Sequence, residues 1–450
     1  MRSFRNRSPL QILSLSFTLM VALALLAGCG LYGGLPASGP EAHTVGPGEL
    51  TVPADAPTSA SIYQVSLADF NTTELQPAWQ KEFTDGVSVS VSPSGSYIAA
   101  FSYFGWGDWE RIGVNVYDKA GGIVTDRIRW YKSTYRNGWV KWGSEDDALM
   151  LYMNNYQTDG RLYVYTANGK LQWSYFVDGS ASAHMTAEGS RTALLNDTRG
   201  RLHILDSDGQ RLALHYVEKG SSAQWSDNGE RLLVMGEKQA IVFDRSGEKL
   251  LTAPLPEAEW LSLRLSPDGR LAAATTGSSD SRLYLFDLSS GDLASSHMLL
   301  PGGGNSVRFA DGNEFLMVYD VGSSAGLALY ALAEEPGLLW RRNVIPTAPG
   351  RVQETKAVWL ALEDNRILAH YTESFSEDGE YMEDSWLLVF SAEGEPLSQM
   401  YLGQNVDLSV SADLAILATV TNNAIDRIGY VNNQLSTYLL DDILSTDTPD

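Results

Sequence analysis

The side chains that could do chemistry are few and scattered. Cys29 is the only cysteine in 450 residues, so the folded part can hold no disulfide and no thiolate metal cluster. His43, His184, His203, His215, His297 and His370 stand one at a time, and none has the His-x-x-x-His spacing that sets two imidazoles on one helix face around a metal. Gly322-Ser-Ser-Ala-Gly326 fits the pattern of a nucleophile turn, but that turn must join a strand to a helix, and here it lies between two strand-like runs. The stretch from Tyr371 to Ser385 carries Glu373, Glu377, Asp378, Glu380, Glu383 and Asp384, carboxylates of the kind a hard cation accepts. No spacing there matches a calcium loop, so a solvated charged loop is expected. Asp206-Ser-Asp-Gly209 lacks the third ligand and the distal Glu of such a loop and reads as a hairpin turn. No catalytic residue, metal or cofactor follows from these patterns.

Two other groups of residues carry more. The first is aromatic: Tyr103, Phe104, Trp106 and Trp109 stand within Ser102 to Arg111 and are spaced by glycines. Rings of this kind anchor protein interfaces and stack on sugars. Trp130, Tyr131, Tyr135 and Trp139, on the connection into the second unit, extend the patch or, in the alternative, all these rings fill space between the first and second units. Tyr371, Phe375 and Tyr381 in the acidic stretch are candidate partner contacts of the same kind.

The second is the amino-terminal segment around Cys29. Arg2, Arg5 and Arg7 precede an apolar run from Leu10 to Leu26, which leads into Leu26-Ala27-Gly28-Cys29. A basic start, a short apolar core and small residues at a cleavage point make a secretory signal. The four residues resemble the lipobox of bacterial lipoproteins. That resemblance implies diacylglyceryl transfer to the Cys29 thiol, cleavage before it and acylation of the new amine, palmitate being a usual chain. At about 0.8 kcal/mol per buried methylene, two or three acyl chains would hold the protein permanently on a bilayer. The alternative is an uncleaved membrane anchor with an incidental cysteine. Residues 1–28 are then the signal, and 29–58, rich in Gly, Pro, Ala and Ser, a flexible tether with a reach of about 30 Å.

Charge narrows the partners. The chain carries a net −23, and removing Arg2, Arg5 and Arg7 with the signal leaves the mature protein at −26. So acidic a body lacks the basic face that nucleic acid requires. Anionic head groups would also repel it, leaving attachment to the acyl chains. With 44% hydrophobic residues the chain still buries a large core.

The elements that must position these residues are repeats. From residue 59 to about 440 a two-part pattern returns every 40 to 52 residues, followed by an acidic tail at 441–450. The first part is a hairpin on a Ser-x-x-Gly turn, as in Val89-Ser-Val-Ser-Pro-Ser-Gly-Ser-Tyr-Ile98, Gln224-Trp-Ser-Asp-Asn-Gly-Glu-Arg-Leu-Leu233 and Leu263-Arg-Leu-Ser-Pro-Asp-Gly-Arg-Leu-Ala272. The second is a hairpin whose first strand ends in Asp, as in Val114-Asn-Val-Tyr-Asp118, Ala240-Ile-Val-Phe-Asp244 and Leu283-Tyr-Leu-Phe-Asp287. Four strands at this period predict an all-β propeller blade, and a blade buries both faces only by stacking into a ring. The Ser-Pro-Asp-Gly turns resemble the WD-like repeats of TolB-type and YVTN-type propellers. The second hairpins, with Asn168-Gly-Lys-Leu-Gln-Trp173 and Gly337-Leu-Leu-Trp340, resemble quinoprotein-type (PQQ-like) repeats, but the adjacent cysteines typical of many quinone dehydrogenases are missing. Eight blades are expected, or seven if one weak copy is not a blade. The surplus copy, Ile62-Tyr-Gln-Val65 leading to Trp79, is expected to give outer strands to the last blade and so close the ring.

In such a ring the second-to-third connections of the first and seventh units flank the eighth blade on one face. That places the aromatic loop and the acidic loop side by side. The function expected is a lipid-anchored, non-catalytic binding or scaffold module for a protein or envelope polymer, outside the cytoplasm. It would sit on the outer membrane of a two-membrane cell, or on the outer face of the plasma membrane if there is one. The alternative is a cell-surface enzyme or ligand sensor acting on a sugar or peptide at the central channel.

Overall fold

The computed structural model describes the chain from Ile62 to Leu440 apart from short stretches, the longest being 105–110, 129–136, 155–159, 277–281 and 423–432. The signal, Cys29, the tether and the acidic tail lie outside the described residues.

The repeats fold as eight antiparallel sheets, one per blade. Blades 1 to 8 begin at the strands Gly86–Val91, Asn137–Trp142, Ser182–Met185, Ser222–Trp225, Trp260–Leu265, Gly303–Phe309, Val352–Ala361 and Val406–Val410. These first strands approach one another from blade to blade, which marks them as the inner edge around the central channel. The eight-bladed alternative of the two expected is the one observed.

Turn chemistry explains why each repeat folds locally. In blade 5 the Ser266 Oγ accepts the Leu271 amide at 2.9 Å, while Gly269, at φ +71°, returns its own amide to the Ser266 carbonyl at 2.8 Å. Ser92, Thr186, Ser226 and Ser411 make the same hydroxyl bond in blades 1, 3, 4 and 8. In blade 8 the glycine position is filled by Leu414 at φ 55°, a strained choice whose side chain is buried between blades 7 and 8. The second hairpins turn on their aspartates. Asp206 Oδ1 accepts the Asp208 and Gln210 amides at 3.0 and 2.8 Å, so Asp206-Ser-Asp-Gly209 is a hairpin turn, as expected.

The core lies between blades. Eight clusters of buried side chains each draw on two adjacent blades, and the last joins blade 8 to blade 1 through Ile416, Ala418 and Val420 against Val87, Ile98 and Ala100. Middle strands are therefore apolar on both faces. In Leu149–Asn154, Leu149, Leu151 and Met153 pack toward blade 1, while Met150 and Tyr152 pack toward blade 3. This two-sided burial is why such strands read as unbroken apolar runs.

The amino-terminal strands depart from expectation in one respect. Trp79–Phe83 does pair with Asn433–Leu439 as the fourth strand of blade 8, closing the ring between the two ends of the chain. Ile62–Val65 does not join that blade. It runs parallel to Gly337–Val344, the outer strand of blade 6, and Asn71–Thr72 runs parallel to Pro396–Gln404, the outer strand of blade 7. The reason is apolar anchoring between blades 6 and 7, where Val65, Leu67 and Phe70 are buried, with the Phe70 ring edge-on to Phe390 at 5.1 Å. The segment straps three consecutive blades and covers two sheet edges that would otherwise be open for pairing.

Phe70→Ala should therefore lower global stability by about 3 kcal/mol, as for other buried Phe truncations. Denaturant unfolding of the purified protein checks this, and a loss below about 1 kcal/mol would mean that the strap is not part of the folded body.

Candidate functional site

The acidic stretch of blade 7 is not a loop. Arg366–Glu377 and Glu380–Ser391 are strands of 12 residues each, paired in unbroken register from Arg366↔Ser391 to Glu377↔Glu380. The equivalent strands of blade 4 have 5 and 6 residues. Alternation of Tyr371, Glu373 and Phe375 with Thr372, Ser374 and Ser376 suits a strand with two different faces. The inner strand Val352–Ala361 lengthens with it, through a bulge between Thr355 and Ala357.

On the face toward blade 6 the carboxylates are paired. Glu373 has no solvent exposure and receives the Thr347 amide at 2.8 Å, the Tyr371 hydroxyl at 2.7 Å and the Arg351 guanidinium at 3.2 Å. Its cross-strand neighbour Asp384 binds the same guanidinium at 2.8 Å and accepts the Tyr401 hydroxyl at 3.0 Å. Arg351 also lies over the Phe375 ring, 4.1 Å from its centroid. Burial first, then the bond to Glu373, pushes the Tyr371 phenol above its usual range, and Tyr401 rises to about 12 through burial and Asp384. Both phenols thus stay protonated and donate. The expected solvated loop is instead a braced hairpin, because each of these carboxylates faces a cation and a donor rather than water.

On the opposite face, beside the channel, a cleft of about 480 Å³ opens between blades 7 and 8. Lys356 binds Glu383 at 2.5 Å across it, and Asp407, His370 and Tyr381 complete its polar wall. Burial raises the Asp407 and Glu354 carboxyls above the usual range. His370 is buried, and among the described residues its Nε2 has no partner. Burial, reinforced by Lys356, lowers its pKa to about 3, so the ring is neutral. The Thr355, Thr372 and Ser385 hydroxyls nearby in blade 7 likewise have no partner among the described residues.

The expected contact residues are distributed as follows. Tyr381 is 70% exposed near the hairpin tip, its hydroxyl donating to Ser374 at 2.6 Å. Phe375 is half-buried under Arg351. Tyr371 is a correction: it is fully buried between blades 6 and 7 and presents no surface to a partner, because its strand position points into that core. Tyr103 and Phe104 end the second strand of blade 1, whereas Trp106 and Trp109 lie outside the described residues, as do Trp130, Tyr131, Tyr135 and Cys29. Trp139 is stacked on Tyr152 at 5.6 Å and packs between blades 2 and 3, so it does not extend the rim patch. Blades 7 and 1 do flank blade 8, as expected. Arg351, Lys356 and His370 were not foreseen as site residues; the signal was the two-residue alternation through Tyr371, Glu373 and Phe375, which marks a strand needing buried partners. Gly322 and Ala325 end and begin adjacent antiparallel strands, so the Gly-x-Ser-x-Gly pattern has no helix to follow it. Among the described residues no group of three or more His, Cys, Asp or Glu side chains is placed to hold a metal ion.

No family model matches the chain, and no curated protein does. Solved structures do resemble it. The C-terminal WD40 domain of Sif2 is 12% identical, with a TM-score of 0.57 over 82% of this chain and 99% of that one. The Dos1 propeller is 14% identical, with a TM-score of 0.52 over 80% and 95%. Sqt1 of Chaetomium thermophilum, solved bound to the N-terminus of the ribosomal protein L10, is 12% identical with a TM-score of 0.51 over 79% and 97%. The likeness is one of fold: a WD40-type β-propeller.

Two outcomes follow. Arg351→Met leaves buried Glu373 without its cation and should cost about 2 kcal/mol in denaturant unfolding. For His370, the folded pKa lies below the unfolded value of 6.5, so its contribution is complete above pH 6.5 and is lost as pH falls toward about 3. Across that window His370→Gln should flatten the fall of stability by up to about 1.4 kcal/mol per pH unit, measured by unfolding at stepped pH.

Proposed function

We propose that the chain is an extracytoplasmic lipoprotein whose propeller is a non-catalytic binding module, with its contact surface on the face where blades 7, 8 and 1 meet. The observation that carries the reading is the blade 7 hairpin. It runs well past the length of its counterparts in the other blades, is braced by Arg351 and Lys356, and bears an exposed Tyr381 beside a polar cleft. A braced element loses little freedom when a partner docks, so its contacts count more fully toward affinity. The aromatic stretch 103–109 starts from the end of the blade 1 strand across blade 8 and supplies the ring anchors. The lipobox-like sequence at Cys29 supplies the membrane attachment, and the tether lets the disc stand off the lipid. A solved propeller of this fold holds the N-terminal segment of another protein, a mode open to a disc with a cleft between blades 7 and 8. One observation favours a second reading, a ligand sensor or enzyme at the channel: the cleft sets His370, Glu383 and Asp407 around one space.

Cys29→Ser should move the protein from the membrane fraction to the soluble fraction and abolish labelling by a palmitate analogue. A native protein that stays in the membrane fraction without taking up the label would indicate an uncleaved apolar anchor instead. Crosslinking in intact cells should then capture one specific partner with the native protein. The partner should be lost with Trp106→Ala/Trp109→Ala or with Tyr381→Ala while folding is unchanged. Equal capture by all forms would remove this face from the account and turn attention to the channel.

A further inference from the structure

Each inner strand carries an equivalent position two residues before its turn residue. In blades 2 to 6 it holds Lys141, His184, Gln224, Arg264 and Arg308. This is a run of cationic and polar side chains in a chain of net charge −23. Four of the five, Lys141, His184, Gln224 and Arg264, line one cavity of about 490 Å³ along the channel. Lys141 and Arg264 enter it from blades 2 and 5, three blades apart around the axis. Among the described residues neither is paired with a carboxylate; Arg264 donates only to the carbonyl of Leu263, at 2.9 Å. The cavity holds further donors. Ser222, Ser262 and Ser306 contribute hydroxyls, and the buried indole N–H of Trp225 has no acceptor among the described residues. Asp227, which has interactions of its own, is the one acidic residue among the described residues of this wall.

The electrostatics of the wall are unfavourable as it stands. Burial first, then the charge of Arg264, lowers the Lys141 pKa. Burial, then Lys141, then Arg264, lowers His184 to about 3, leaving its ring neutral. Two like charges facing one cavity repel each other unless something of opposite sign sits between them. Serine or tryptophan occupies the same position in blades 1, 7 and 8, at Ser90, Trp359 and Ser409, so the architecture does not require a cation there.

We infer that the channel between blades 2 and 5 is a binding site for a small oxyanion ligand, its carboxylate or phosphate oxygens held by Lys141 and Arg264 and oriented by the surrounding neutral donors. The size of the cavity suits a small polar molecule rather than a polymer chain, which separates this site from the rim surface. Charge-assisted bonds from both cations would fix the anion, and Gln224, the serine hydroxyls and the Trp225 N–H would select among oxygen acceptors.

The test is isothermal titration of the full chain with citrate and, separately, with inorganic phosphate at constant ionic strength, alongside thermal unfolding in each salt and in chloride. Saturable binding of either anion is expected, with stabilisation beyond chloride. Lys141→Met and Arg264→Gln should each weaken it by about tenfold or more, while the exposed Lys170→Met should not. In chloride alone Lys141→Met should melt higher than the native protein, because a like-charge contact is gone; this separates loss of the site from loss of the fold. Binding of citrate alone would mark a carboxylate ligand, and of phosphate alone a phosphorylated one. No saturable binding of either at millimolar concentration, or equal affinity in both variants, would overturn the assignment.

Discussion

The structure depends on closure. No blade can bury both faces by itself, so every apolar strand is satisfied only if the ring returns to its start. The return is made by Trp79–Phe83, hydrogen-bonded to Asn433–Leu439 from more than three hundred residues away. Once that pairing forms, eight equivalent interfaces share the core, and none is left as an exposed apolar face. The strap before it adds Val65, Leu67 and Phe70 to the joint between blades 6 and 7, which is also the joint beneath the long hairpin. Closure and the candidate site are thus supported by the same segment.

The ring is regular in its turns and irregular where function is expected. Serine-centred turns recur with nearly the same bond lengths around the disc, whereas blade 7 alone extends its middle strands to 12 residues. Extension beyond the core would expose a strand pair to water, and the paired charges show how this is managed. Arg351 bridges Glu373 and Asp384 on one face and Lys356 binds Glu383 on the other. Partly buried pairs of this kind contribute modestly to stability, and the clearer consequence is a fixed geometry.

Much of the fold was legible in the residues. The run Ser266-Pro-Asp-Gly269 fixes a turn by its own chemistry, and Asp118, Asp206 and Asp244 fix the second hairpins in the same way. The local signal also found Trp79 as the closing strand. It failed for Ile62–Val65 because parallel pairing to an outer edge leaves no turn next to it in sequence; only the buried Val65 and Phe70 betray the contact. It failed for the hairpin because six carboxylates in fifteen residues suggest water. Arg351 and Lys356, the partners of Glu373, Glu383 and Asp384, lie on the preceding strand and its approach, about twenty to thirty-five positions away, where no spacing rule reaches. The channel cations were hidden differently. Lys141, Arg264 and Arg308 look unrelated in sequence until the repeats are set in register on their turns, when they fall at one position.

The central claim is that a closed ring holds the blade 7 hairpin as a rigid part of the disc. Hydrogen–deuterium exchange of the full chain, read by mass spectrometry, tests it most directly. Amides of Trp79–Phe83 and of Arg366–Glu377 should be protected to the same degree as the middle strands of blade 4, since all belong to one cooperative body. Exchange of the hairpin within seconds, with blade 4 protected, would contradict the account and return the acidic stretch to a solvated loop.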